Sequence, residues 1–126
     1  MQSSNNTSFF IVLNANPNQG NALQTTFERS FNLQCKWEVG ITRLNSAETR
    51  NAYIMCNLVD YTFIQSQWMR FLDYLEISNP TVIAKPNYVK VVNKKFSNMN
   101  IDIIKDFPNG IMTDPSLVCV LHFRKS

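Results

Sequence analysis

The chain has 126 residues, a hydrophobic share of 44%, a charged share of 17% and a formal net charge of +3, the profile of one folded domain rather than a disordered tail. A chain of this mass exposes roughly 7,000 Å² when folded against about 21,000 Å² when extended, enough burial for one core without staples. The small, scattered charge does not by itself argue for a nucleic-acid binder.

Met1 to Ser8 is polar and lacks the basic and apolar regions of a signal peptide, so residues 1–8 are expected to form a flexible arm ahead of a single domain over 9–126. Asn6-Thr7-Ser8 fits the glycosylation pattern and, with no secretion signal, is read as chance. Phe9-Phe10-Ile11-Val12-Leu13 is a short apolar run before the turn-rich Asn14–Gly20 stretch, which predicts a buried strand and a loop. From Leu23 to Leu33, Leu23, Phe27, Phe31 and Leu33 hold odd positions and polar residues the even ones, a half-buried strand. Trp37, Val39 and Ile41 alternate with Lys36, Glu38 and Thr42. They are expected in the core, and Gly40 among them marks a bulge or a close backbone approach.

Ser46 to Asn51 breaks the pattern as a loop or a single helical turn. Ala52 to Ile64 is apolar on both faces and reads as a central strand, kinked at Asp60. Trp68 to Ile77 fits both a helical stripe and an alternating strand; the strand is preferred because no helix cap flanks it. Asn79-Pro80 and Pro86-Asn87 punctuate the next stretch of chain. Tyr88 to Val92 and Met99 to Lys105 read as strands, Phe107–Gly110 and Asp114-Pro115 as turns, and Leu117 to Phe123 as a closing strand with Leu121 and Phe123 facing inward. About eight strands at regular spacing predict an all-β fold, a single antiparallel β-sandwich of jelly-roll type. No apolar run reaches the ~20 residues of a bilayer span.

Chemistry-bearing residues are sparse. His122 is the sole histidine, read as structural or interfacial rather than catalytic. Asp102 and Asp106 have no partner at a fixed acid/base spacing. Gly20, Gly40 and Gly110 are too far apart for a phosphate-cradling loop. Cys35, Cys56 and Cys119 lie in apolar-alternating stretches without CxxC spacing, and read as reduced, buried thiols. Lys85, Lys90, Lys94 and Lys95, with Tyr88 and Phe96 interleaved, fit either a single-strand nucleic-acid platform or a strand edge guarded by lysine; the edge is favoured. Trp37 and Trp68 read as core residues by default. No catalytic residue, metal site or cofactor is expected.

Three phrases carry a family resemblance: Trp37-Glu38-Val39-Gly40-Ile41; Ile101-Asp102-Ile103-Ile104-Lys105-Asp106, reached from Pro86-Asn87-Tyr88-Val89-Lys90-Val91; and the closing Leu121-His122-Phe123-Arg124. Together they resemble virion proteins of Maverick/Polinton-type elements and related double-stranded DNA viruses, which carry W-E-V-[AG]-[LI], I-D-I-x-x-D and L-H-F-[RK] in this order. Those relatives are commonly several hundred residues long, with an aromatic-rich stretch where this chain has Leu44 to Arg50. The resemblance implies a jelly-roll capsid component, of penton or minor-capsid type, acting in the virion after assembly in the host cytoplasm or nucleus. Its implied partners are copies of itself, as a pentamer or trimer, and other capsid proteins. Low charge with many Phe, Met and Asn residues fits a surface that ends up between subunits. Tyr61, Phe63, Trp68 and Tyr74 are the interface candidates. The competing expectation is a stand-alone β-sandwich module that binds protein, glycan or nucleic acid; an enzyme is not expected.

Overall fold

The computed structural model describes residues 8–16, 23–78, 81–105 and 116–126. Among them the alternating and β-branched runs form eleven strands and no helix: β1 (Ser8–Asn14), β2 (Leu23–Asn32), β3 (Trp37–Asn45), β4 (Arg50–Cys56), β5 (Thr62–Ile64), β6 (Gln67–Met69), β7 (Phe71–Ile77), β8 (Thr81–Val82), β9 (Val89–Lys90), β10 (Lys95–Ile104) and β11 (Val118–Lys125). One sheet runs β1-β11-β3-β8, with β9 also on β3, and the other runs β2-β10-β4-β7.

Every ladder between these strands is antiparallel, and the pairing is nested: β1 with β11, β2 with β10, β3 with β8 and β9, β4 with β7. Two further ladders, β3 with β11 and β4 with β10, roll the nested pairs into two facing sheets. That winding is a jelly roll. The expected eight strands become eleven because the strand beside β3 is split into β8 and β9, and because a separate hairpin, β5–β6, is inserted between β4 and β7. The segment 68–77 is extended, broken at Arg70 into β6 and β7.

The inward positions of both sheets make one core. Trp37, Val39, Ile41, Leu121 and Phe123 lie in it, with Ile54, Leu72, Met99 and Ile103 from the opposite sheet. Trp37 keeps its indole satisfied by donating from Nε1 to the Gln34 carbonyl at 2.7 Å, which removes the cost of burying that polar edge. Four phenylalanines close a ring across the sandwich. Phe9 stacks on Phe123 at 4.8 Å and on Phe31 at 5.6 Å, and Phe96 stacks on Phe31 at 5.0 Å and on Phe123 at 6.4 Å. Two come from each sheet, so this end of the sandwich is held by aromatic contact rather than by aliphatic packing.

Several expectations change. Ala52–Ile64 is not one strand. After Cys56 the chain turns, because the Asn57 side chain accepts the Asn100 backbone N–H at 2.9 Å and so satisfies the neighbouring strand in place of a continued ladder. The turn drives Leu58 and Val59 into the core, where both are fully buried. Asp60 then accepts the Tyr61 N–H at 2.7 Å as the chain leaves the core. Phe10 and Val12 are not buried with Ile11 and Leu13 of β1; alternation turns them outward. The strand expected over Tyr88–Val92 shortens to Val89–Lys90. Cys35 is exposed, since it sits in the turn before Trp37 with φ at 69°, outside the strand alternation that buries its neighbours. Gly40 does mark a close approach: a Cβ there would lie 3.1 Å from the Asn87 carbonyl oxygen and 3.1 Å from Pro86 Cβ. The bulge lies beside it, at Thr42, which the register with β11 skips and whose hydroxyl donates to the Val120 carbonyl at 3.2 Å.

Residues 1–7 of the expected 1–8 arm, the sequon at Asn6, Gly20, Asn79-Pro80, Asp106, Gly110 and the turns at 107–110 and 114–115 lie outside the described residues; Ser8, the last residue of that expected arm, pairs with Arg124.

Candidate functional site

The β5–β6 hairpin is the most exposed apolar feature of the second sheet's side. Thr62 pairs with Met69, Phe63 with Trp68 and Ile64 with Gln67, leaving Gln65 and Ser66 as a two-residue turn. Both have positive φ, 45° and 72°, as the hairpin turn that matches strand twist requires. Neither is Gly, Asn or Asp, so the turn holds two residues in a conformation that costs each roughly 1–2 kcal/mol. The strands it joins display Phe63 and Trp68 edge to face at 5.1 Å, 58% and 67% exposed. Trp68, expected in the core, thus lies at the surface: its hairpin stands outside both sheets, and no opposing sheet covers it.

The hairpin is buttressed at its base and tip. At the base, Arg70 donates to the Val59 carbonyl at 2.7 Å and lies 4.2 Å from the Tyr61 ring centroid. Near the tip, Gln65 donates to the Tyr53 hydroxyl at 3.4 Å. Tyr53 in turn packs on Tyr74 at 4.6 Å on the outer face of β4 and β7. Tyr61, Phe63, Trp68 and Tyr74 therefore gather around one hairpin and the strands beside it, all four about half exposed or more.

Beneath the hairpin lies an open cavity of about 290 Å³, lined by Met55, Tyr61, Trp68, Met69, Arg70 and Asp102 among others. Asp102 remains partly exposed on β10, and partial loss of solvent at the cavity wall pushes its carboxyl above its ordinary value. The same cause raises Asp73, opposed by the Tyr74 N–H that donates to its carboxylate at 2.8 Å. The cavity wall thus mixes apolar and aromatic side chains with the amides of Asn57, Gln67 and Asn100, one carboxyl and one guanidinium.

A second outer surface, on the first sheet, is built around His122. Its ring stacks on Phe10 at 4.5 Å, and its Nδ1 shares a hydrogen bond of 2.7 Å with the Tyr88 hydroxyl. Arg124 lies 3.5 Å from the Tyr88 ring centroid and donates to Glu38 at 2.6 Å. His122 is thus tied into a structural stack, and sequence reasoning missed Phe10, whose exposure only the outward face of β1 reveals. Cys56 and Cys119 are buried free thiols, Cys56 pushed up to about 12 and Cys119 higher still by loss of solvent. Among the described residues, no three His, Cys, Asp or Glu side chains form a group that could hold a metal ion.

The interleaved basic stretch does not form a stacking platform. Phe96 points into the core, Tyr88 is covered by Arg124, and Lys94 donates to the Cys35 carbonyl at 2.9 Å. No helix among the described residues is long and apolar enough to cross a membrane.

Fold and surface define a jelly-roll β-sandwich that displays aromatic side chains on its outer faces. No family model matches the chain, and no curated protein matches it. Among solved structures, it is similar to a chain of the T13 IBDV viral particle, with 8% identity and a TM-score of 0.29, over 94% of this chain and 31% of that one. The likeness to that viral particle protein is loose, and this chain spans about a third of its length.

Proposed function

We propose that this protein is a non-enzymatic structural component of a virion shell, a penton-like jelly-roll protein that acts by associating with copies of itself and with other shell proteins. The observation that carries the reading is the hairpin. Phe63 and Trp68 are held out on a turn of two strained non-glycine residues, next to Tyr61 and Tyr74. Strain retained around exposed apolar side chains fits a contact surface, where a neighbour covers what the monomer leaves wet. The jelly-roll winding and the Trp37–Ile41, Ile101–Asp106 and Leu121–Arg124 phrases support the same reading. Its place of action is the virion, following assembly in the host cell.

Oligomer mass measured by light scattering across a salt series tests it. A pentamer or trimer that persists or strengthens as salt rises is expected, because the contacts are apolar and little screened. Phe63→Ser with Trp68→Ser should reduce that mass while leaving thermal stability nearly unchanged. The cavity beneath the hairpin favours a second reading, a monomeric binding module. A monomer at all concentrations selects that module, and DNA binding with a steep salt slope selects a nucleic-acid role.

A further inference from the structure

A sandwich of two open sheets has exposed strand edges, and an unprotected edge pairs with whatever strand it meets. Three of the four edges here carry a protective device. β8 and β9 are two residues each. β7 bears Asp73 and Glu76, and its register against β4 breaks between Ile54 and Met55. β2 bears Glu28 and Arg29, and its register against β10 breaks between Phe96 and Asn98.

β1 has none of these. Its sequence, Ser-Phe-Phe-Ile-Val-Leu-Asn, contains no charge, proline or glycine. It pairs with β11 in unbroken register from Ser8 to Asn14, and among the described residues no strand pairs with its other side. An open cleft of about 310 Å³ runs along its C-terminal half, between Val12, Leu13 and Asn14 on one wall and Gln24 and Thr25 of β2 on the other. The facing sheet therefore does not close this edge. Phe10 and Val12, exposed by 60% and 56%, line its outer face.

We propose that β1 is an assembly edge that pairs antiparallel with β1 of a second copy of this chain, about a two-fold axis at Ile11. A strand edge bearing charges needs a partner with opposite ones; this uncharged edge is matched by itself, and two-fold pairing is self-complementary. Centring the pair on Ile11 sets Phe10 against Val12 of the second copy on the outer face. It sets Phe9 against Leu13 on the inner face. A slip of one residue would turn the apolar inner positions to water, and of the registers that keep the faces matched, the one centred on Ile11 pairs all seven residues from Ser8 to Asn14. The inference stands apart from the shell reading, since it concerns a different surface from the hairpin.

Sedimentation velocity of the full chain over a concentration range tests it, with Val12→Lys placing like charges in the seam. Val12→Lys should halve the limiting mass, with an unchanged far-UV circular dichroism spectrum, whether it is introduced into wild type or into the Phe63→Ser, Trp68→Ser protein. In a Cys35→Ser background, mixing Phe10→Cys with Val12→Cys should give an oxidised heterodimer, while each variant alone should give little. The mixing experiment also decides the matter if Val12→Lys fails to fold. A wild type monomeric throughout, a Val12→Lys protein that associates as wild type does, or cross-linking no greater in the mixture than in single variants would each overturn the proposal.

Discussion

Removing the ring of Phe123 tests whether the aromatic quartet holds the two sheets together. The side chain is fully buried, stacked on Phe9 at 4.8 Å and on Phe96 at 6.4 Å. Phe123→Ala removes the transfer free energy of the ring and leaves a cavity that rigid neighbours fill poorly, together about 3–5 kcal/mol. The two aromatic pairs, at about 0.5–1.5 kcal/mol each, place the cost in the upper part of that range. A domain of this size holds only about 5–15 kcal/mol in all. At about 4 °C per kcal/mol, the melting temperature should fall by about 12–20 °C. Phe10→Ala is the control: the same residue type on the same sheet, 60% exposed, loses little more than its stack on His122 and should cost about 0.5–1.5 kcal/mol. Thermal and urea unfolding followed by circular dichroism measure both. A Phe123→Ala protein melting within about 3 °C of wild type, or a Phe10→Ala protein equally destabilised, would refute the assignment of that ring to the joint between the sheets.

Thiol titration of the native protein should detect Cys35 at once and Cys56 and Cys119 only after denaturation, with an intact mass showing no disulfide; fast labelling of all three would contradict the burial. Gly40→Ala should cost about 1–3 kcal/mol through overpacking, because its Cβ meets the Asn87 backbone and Pro86. A neutral effect in urea unfolding would show that the loop yields freely. The Asp102 carboxyl is raised by partial desolvation, so the folded state holds its proton more tightly than the unfolded chain does. Its contribution therefore favours the fold at acid pH, and is lost as pH rises from the ordinary carboxylate value through the raised one. Asp102→Asn should accordingly raise the melting temperature near neutral pH and give no gain at about pH 3; a gain independent of pH would discard the burial argument.

The strands were legible where side chains alternate about a buried face. Trp37, Val39 and Ile41 announce β3 because every second residue is large and apolar, and Leu121 and Phe123 announce β11 in the same way. Alternation is blind to which strand lies beside which, so nothing local marks β1 as the partner of β11. It also misjudged Cys35, whose neighbours follow the pattern while its own backbone leaves it. In the run from Ala52 to Ile64, apolarity on both faces looked like one central strand. The break at Asn57 depends on a side-chain bond to Asn100, far along the chain. Of the surface, neither the exposure of Phe63 and Trp68 nor the turn that displays them was legible. Gln65-Ser66 lacks the Asn-Gly or Asp-Gly signal of such turns.

The place of β11 between β1 and β3 also governs how the protein is born. Those two neighbours are synthesised long before it, and each waits for it to complete its hydrogen-bonded ladder. On the ribosome, β1 and β3 thus emerge as apolar strands with their central partner missing, the condition in which nascent chains recruit chaperones or stick to one another. Pairing across such sequence distances is slow, on the millisecond-to-second scale of β-rich domains. A nascent chain stalled before Val118 should remain protease-sensitive throughout, and protection should arrive in a single step once β11 clears the exit tunnel.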